Sequence, residues 1–217
     1  MPKRFFGYIE GYYGRMLSWD ERALLIEEMR GLSLNAYIYA PKEDPFHRQQ
    51  WRLPYPSAWR SSFSAFVKQS TKAEITVIPG IAPGLSFDYQ SRADYAILLK
   101  KFLTLLKSGV NSLCLLMDDI PVDLPDKYKK KYSSLGAAHG ELLTKLQADI
   151  KKNVTTKLRP LNLPLRVLRS APRRGTLHCG APCGGTVRRG RSVWLLKMFQ
   201  NPYSLYMDNF LATCISS

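Results

Sequence analysis

Short apolar runs alternate with amphipathic stretches along the first 150 residues of this 217-residue chain. The apolar runs cover residues 5–9, 36–39, 75–78 and 112–117. Each run is followed by apolar residues at helical spacing, and the third of these stretches ends at Gly109, which is typical of a helix C-cap. Four βα units in series predict a parallel sheet, because each crossover helix returns the chain in the same direction.

The loops that follow the four predicted strands have unusual chemistry. They read EGYYGR, APKEDPFHR, APGLSFD and DDIP, in chain order. In parallel α/β folds, ligands bind beyond the carboxyl ends of the strands, at a barrel mouth or in a sheet crevice. We therefore expect the functional residues in these loops.

Asp118 and Asp119 follow directly after the apolar run SLCLLM. Two adjacent carboxylates repel, so one tends to hold a proton while the other stays ionised, which is the division needed by an acid and an electrostatic partner. Taken alone, an Asp-Asp pair is more typical of a turn or a helix cap than of a catalytic site. A divalent metal is a further alternative, although no third carboxylate or histidine stands at a suitable spacing.

Two further residues are candidates for ligand contact. Lys42 follows the second predicted strand and is able to donate a hydrogen bond to a hydroxyl or carboxylate, but beside Glu43 and Asp44 it is also typical of a solvated loop. Gly11 gives a tight turn its backbone freedom and allows a ligand to approach closely.

The basic charge of the chain is concentrated near its end. The formal net charge of +15 divides into +4 for residues 1–150 and +11 for residues 151–217. Residues 160–191 contain four Pro, five Gly and seven Arg and no acidic residue. We therefore predict two segments, a β/α domain over 1–153 and an irregular basic tail over 154–217. The tail is typical either of a nucleic-acid arm or of sequence that does not continue the domain, through truncation or an altered reading frame; the lack of interleaved aromatic residues favours the latter.

No compartment signal or cofactor motif stands out. Apolar runs are too short to cross a membrane, the N-terminus lacks a secretory apolar segment, and four cysteines do not form a disulfide scaffold, so we expect a cytoplasmic protein. The segment HCGAPC, from His178 to Cys183, has no matching second pair of ligands, and we expect no zinc there. We expect no metal and no organic cofactor.

Motif order and spacing carry a family resemblance over roughly residues 4–150. The series IEGYYGR, LNAYIYAPKEDP with HRQQWR, IAPGLSFD and LLMDDI, followed by AAH, closely resembles the N-terminal half of the family-84 glycoside hydrolases, the O-GlcNAcases and hyaluronidase-like β-N-acetylglucosaminidases. The resemblance implies an α/β fold, a TIM-type (β/α) barrel that is incomplete after about four βα units. It also implies removal of β-linked N-acetylglucosamine with retention of configuration, from a glycan or glycoprotein substrate.

The same resemblance implies roles for individual residues. The nucleophile is the substrate's own acetamido oxygen, an exception to the two-carboxylate scheme. Asp118 would orient the acetamide N–H, Asp119 would act as general acid and then base, and Lys42 and the backbone at Gly11 would hold sugar hydroxyls. His139, in AAH, is predicted to be a structural residue that hydrogen-bonds a neighbouring loop.

The sequence departs from the family after the fourth unit. Only MDNFLAT is similar to a later sugar-binding segment of the family, which makes Asn209 a candidate ligand, and chance explains the match equally well. Half a barrel would leave an apolar inner face open unless another copy or the tail covers it. Two functions are therefore alternatives to hydrolysis. The first is a non-catalytic carbohydrate-binding half-barrel. The second is nucleic-acid binding through the tail, and we do not expect this second function.

Overall fold

The computed structural model describes residues 5–117, 120, 123–157, 167–170 and 212–214. The strands of this part of the chain are β1 (Gly7–Glu10), β2 (Ala36–Tyr39), β3 (Thr76–Ile81), β4 (Leu113–Leu115), β5 (Val167–Ser170) and β6 (Ala212–Cys214). Its helices are α1 (Trp19–Gly31), α2 (Ser57–Lys72), α3 (Arg92–Lys107), α4 (Asp126–Lys129) and α5 (Leu135–Lys157), with a short 3₁₀ turn over Gly84–Ser86.

The strands lie side by side in chain order. Each neighbouring pair from β1 to β5 is parallel, and β6 adds to β5 in the antiparallel sense. The four predicted strands and the parallel sheet are confirmed. The carboxyl ends of β1–β4 consequently meet at one edge of the sheet.

Local sequence explains where the first and third helices begin and end. Ser18 accepts a hydrogen bond from the backbone N–H of Glu21, whose carboxylate accepts one from the Ser18 N–H, so the predicted capping box starts α1. Ser91 caps α3 by accepting a hydrogen bond from the Asp94 backbone N–H, without a reciprocal bond. Gly109, just past the end of α3, has a φ of +97°, a conformation that glycine adopts without strain.

The apolar side chains form two layers, one on each face of the sheet. The larger cluster packs between the sheet and the helices and includes Tyr37, Phe63, Leu98 and Leu146. The smaller one lies on the other face and consists of Ile9, Ala36, Ile38, Ala40, Ile78, Ala82, Cys114 and Leu116. All members of this inner face are buried.

Two features differ from the predicted pattern. Helix α5 continues to Lys157, past the predicted boundary at residue 153, and both β5 and β6 lie in the stretch predicted to be irregular. The Pro and Arg residues near Val167 give this stretch no recognisable strand pattern. The edge of β4 nevertheless supplies the β5 backbone with hydrogen-bond partners, which do not depend on the local composition. The division into residues 1–153 and 154–217 remains a prediction. Among the helices described, none combines the length and apolarity that crossing a bilayer requires.

Candidate active site

A narrow hollow lies beyond the carboxyl ends of β2, β3 and β4. Its lining consists of residues 40–42, His47, Arg48, Gly80, Ala82 and Leu116. The segments that follow the second and third strands therefore contribute to this hollow, together with Leu116 after the fourth strand.

Lys42 is placed in this hollow and not in solvent. Its side chain is only 6% exposed, and its Nζ lies 5.6 Å from the centre of the Tyr13 ring, within the range of a cation–π contact. The solvated-loop alternative is therefore wrong for Lys42.

Gly11 follows directly after β1, which is the edge strand of the sheet and pairs with β2. A Cβ atom at this position would lie 3.1 Å from Cγ1 of Ile9, so a larger residue would crowd the inner face. Ile9 itself belongs to the buried inner cluster, which places Gly11 where that layer reaches the strand ends.

The first two strand-end loops meet through Tyr13 and Arg48. Nη2 of Arg48 donates a hydrogen bond to the Tyr13 hydroxyl at 3.0 Å, and the guanidinium carbon lies 5.2 Å from the ring centre. Tyr13 is 56% exposed, so it stands at the rim of the hollow. Arg48 is not among the site residues predicted from the sequence, although it lies in the motif HRQQWR, six residues after Lys42.

His47 joins the second loop to β3. Its Nδ1 donates a hydrogen bond to the Gly80 carbonyl oxygen at 2.6 Å, and its buried Nε2 has no hydrogen-bond partner among the residues that the structure describes. Burial lowers the pKa of His47, against the opposing effect of Asp44, so the ring is neutral at pH 7. A Cβ on Gly80 would lie 2.9 Å from Cδ1 of Leu116, so glycine lets β3 and β4 pack closely here.

A buried ion pair underlies the first loop. Arg22 of α1 donates two hydrogen bonds to the Glu10 carboxylate, at 2.7 and 2.9 Å, and the Tyr37 hydroxyl donates a third at 2.6 Å. Burial opposes the charge of Arg22, but its bonds to Glu10 hold its pKa above the usual range. Burial also raises the pKa of Tyr37. Glu10 immediately precedes Gly11, so this network fixes the start of the first strand-end loop.

The third and fourth strand-end loops are tied together by aromatic residues. Nε2 of His139 in α5 lies 2.7 Å from the Tyr89 hydroxyl, which confirms the predicted hydrogen bond of His139 to a neighbouring loop. Tyr89 packs edge-on against Tyr128 of α4, whose hydroxyl donates to Asp88 at 3.0 Å. These contacts join the segment after β3 to the segment that leads into α5.

Several predicted site residues lie outside the described part of the chain. These are Asp118, Asp119, Asn209 and the HCGAPC segment. Leu116 and Met117 are buried at the end of β4, immediately before the aspartate pair. Among the described residues, no three His, Cys, Asp or Glu side chains form a group that would hold a metal ion.

A parallel βα sheet with a hollow beyond its strand ends is typical of the α/β folds in which ligands bind at the carboxyl ends of the strands. Residues 6–168 match the family model of the β-N-acetylglucosaminidases. The chain therefore belongs to this family, the family-84 glycoside hydrolases.

Individual relatives agree with this assignment. The chain is 31% identical over 132 residues to protein O-GlcNAcase of Rattus norvegicus, a match that covers 61% of this chain and 14% of the rat protein. A mutant of the Thermobaculum terrenum O-GlcNAc hydrolase superposes with a TM-score of 0.66 at 35% identity, covering 69% of this chain and 32% of that structure. CpGH84B gives a TM-score of 0.57 at 28% identity, covering 74% and 26%. The chain thus spans a third or less of the relatives it matches, and its parallel α/β fold corresponds to part of their barrel.

Proposed function

We propose that this chain carries the amino-sugar cradle and the catalytic pair of a retaining β-N-acetylglucosaminidase. The observation that supports this most directly is the placement of Lys42, buried in a hollow at the strand ends, within a segment that matches the family. Family membership favours hydrolysis over the two alternatives of carbohydrate binding alone and nucleic-acid binding. The proposed substrate is a glycan or glycoprotein that bears β-linked N-acetylglucosamine, and the proposed compartment is the cytoplasm.

The proposed reaction is substrate-assisted. Asp119 protonates the glycosidic oxygen while the acetamido oxygen of the sugar attacks the anomeric carbon, which breaks the glycosidic bond and forms an oxazoline. Asp118 accepts a hydrogen bond from the acetamide N–H and stabilises the positive charge that develops on it. Asp119 then takes a proton from water as the water opens the oxazoline, and the sugar leaves with its configuration retained.

The hollow would orient the sugar for this reaction. Lys42 and the backbone at Gly11 are proposed to hold sugar hydroxyls, and Asn209 is a further candidate ligand.

The test is hydrolysis of 4-nitrophenyl β-N-acetylglucosaminide by the full chain and by Asp119→Ala. We expect Asp119→Ala to reduce kcat by about 10²–10⁴, the usual contribution of a general acid. Asp126→Ala is the matched control, since that carboxylate lies on the same segment and its side chain is 92% exposed. Absence of turnover in the native chain, or equal turnover in native and Asp119→Ala proteins, would refute the proposal.

A further inference from the structure

The loop between β2 and α2 carries a buried carboxylate that the proposed reaction does not use. Asp44 lies two residues after Lys42 and is 1% exposed. Its side chain accepts hydrogen bonds from the Tyr39 hydroxyl at 2.7 Å, from Nε1 of Trp59 at 3.1 Å and from the backbone N–H of Phe46 at 2.9 Å. All three donors are neutral, and Asp44 forms no ion pair with any residue that the structure describes.

The three donors belong to three different parts of the fold. Tyr39 is the last residue of β2, Trp59 lies in the first turn of α2, and Phe46 is in the connecting loop itself. A buried carboxylate loses its hydration, and only well-placed hydrogen bonds offset that cost. Asp44 therefore fixes the loop to the strand before it and to the helix after it, and the bonds to the carboxylate are stronger than those between neutral groups.

The backbone of Asp44 also defines the turn that contains Lys42. The Asp44 N–H donates to the Pro41 carbonyl oxygen at 3.2 Å, which closes a four-residue turn with Lys42 in its second position. The Asp44 carbonyl oxygen accepts a hydrogen bond from the His47 N–H at 3.1 Å. Within this turn Lys42 is buried and Glu43 is exposed, so the orientation of the turn decides which charged side chain enters the hollow.

We propose that Asp44 is a positioning residue: by anchoring the Pro41–Asp44 turn to Tyr39 and Trp59, it directs the Lys42 amine into the hollow. Asp44 does not touch the substrate and acts only through Lys42. The positioning of Lys42 by Asp44 does not depend on the proposed function. Only the expected contribution of Asp44 to sugar binding rests on it.

The first test measures the position of Lys42 without any sugar. The full chain is treated briefly with acetic anhydride, and the acetylation rate of Lys42 is measured by peptide mass spectrometry. Asp44→Asn keeps the shape of the side chain but places an amide donor against the Tyr39 and Trp59 donors. We expect Lys42 to be labelled about tenfold faster in this variant, the change that corresponds to loss of one strong hydrogen bond.

Two further variants make the labelling result specific. Asp149→Asn is the matched control, because Asp149 also accepts a hydrogen bond from a tyrosine hydroxyl, that of Tyr95, but lies on α5 outside the β2–α2 loop, and its change should leave the Lys42 rate unaltered. Tyr39→Phe removes a single donor and keeps the ring, so it should give a smaller increase in the same direction even if Asp44→Asn does not fold. An unchanged Lys42 rate in Tyr39→Phe, or an equal rise in Asp149→Asn, overturns the proposal.

The second test asks whether Asp44 acts through Lys42 in the reaction. With 4-nitrophenyl β-N-acetylglucosaminide, Asp44→Asn should raise KM in the native background and have no further effect in a Lys42→Ala background. Additive effects in the two backgrounds would contradict the positioning role. If the native chain does not hydrolyse the glycoside, the proposed function fails, while the labelling rates still decide the role of Asp44.

Discussion

Lys101 is a buried cation beside the strand-end loops. Its amine, on α3, donates a hydrogen bond to the Leu53 carbonyl oxygen at 2.7 Å and lies 4.2 Å from the centre of the Tyr55 ring. Burial lowers its pKa to about 8, although the charge of Asp44 acts in the opposite direction. The folded state therefore releases the Lys101 proton at a lower pH than the unfolded chain does.

This difference predicts a pH-dependent stability. Between pH 8 and 10 the unfolded state binds the Lys101 proton and the folded state does not, so the contribution of Lys101 to stability rises with pH, by about 2 kcal/mol. Urea unfolding of the native chain and of Lys101→Met should give free energies whose difference changes by that amount across this window. Lys100→Met, at the exposed neighbouring position, should run parallel to the native chain; a parallel profile for Lys101→Met would contradict the prediction.

At the scale of residues, the loop motifs identify the side chains with obvious chemistry but not the residues that position them. Lys42 and Gly11 were predicted from the loop motifs alone. Arg48 and His47 lie in the motif HRQQWR. Arg48 contacts Tyr13 and His47 contacts Gly80, which are contacts between separate segments that no local spacing predicts. Burial of Asp44 likewise depends on donors from a strand and a helix.

At the scale of elements, β1 and β2 approach each other closely at Gly7. A Cβ atom there would lie 1.8 Å from the Ala36 carbonyl oxygen, a backbone atom that cannot move aside as a side chain can. Gly80 is less restrictive, since its nearest obstacle is the end of the flexible Leu116 side chain at 2.9 Å. The pairing of β1 with β2 thus depends on the absence of a side chain at position 7.

Gly7→Ala should therefore lower the free energy of unfolding by roughly 3 kcal/mol or more, at the upper end of the range for overpacking. Gly80→Ala should cost less than Gly7→Ala. Gly31→Ala is the control, because it ends α1 with nothing within 4 Å of the added Cβ, and alanine favours the helix by about 0.5–1 kcal/mol. Guanidinium unfolding of the three variants measures the order, and a Gly7→Ala protein as stable as Gly31→Ala would exclude close strand contact at Gly7.

The elements that the sequence predicted well are those with a strong local signal. The capping box, the helical periodicity and Gly109 place α1 and α3 within a few residues. Strand β5 has no comparable signal, because its pairing with β4 is a long-range contact. The family match to residue 168 includes part of β5, beyond the roughly 150 residues over which the motifs show the resemblance.

At the scale of the whole molecule, fold and charge have different sources. Buried apolar residues alternate along the strands on the inner face of the sheet and recur at helical spacing on the outer face. These two patterns determine the βα architecture. The charge of +11 in residues 151–217 has no counterpart in that pattern. A net charge of this size favours phosphate-rich polymers through long-range attraction, whether or not a binding surface has been shaped for them.

The net charge of +15 therefore predicts weak electrostatic association with DNA at low salt, which is distinct from the dedicated nucleic-acid function that the sequence does not favour. Binding driven by counterion release should weaken steeply with salt, by roughly 10³-fold between 50 and 200 mM, and should not depend on base sequence. Fluorescence anisotropy with two duplexes of equal length and unrelated sequence measures both properties. A Lys42→Ala variant should bind DNA as the native chain does, because Lys42 is buried in the hollow. Affinity that persists at 200 mM salt, or that differs between the duplexes, would instead indicate a dedicated nucleic-acid site, since only base or shape contacts survive screening of the phosphate charge.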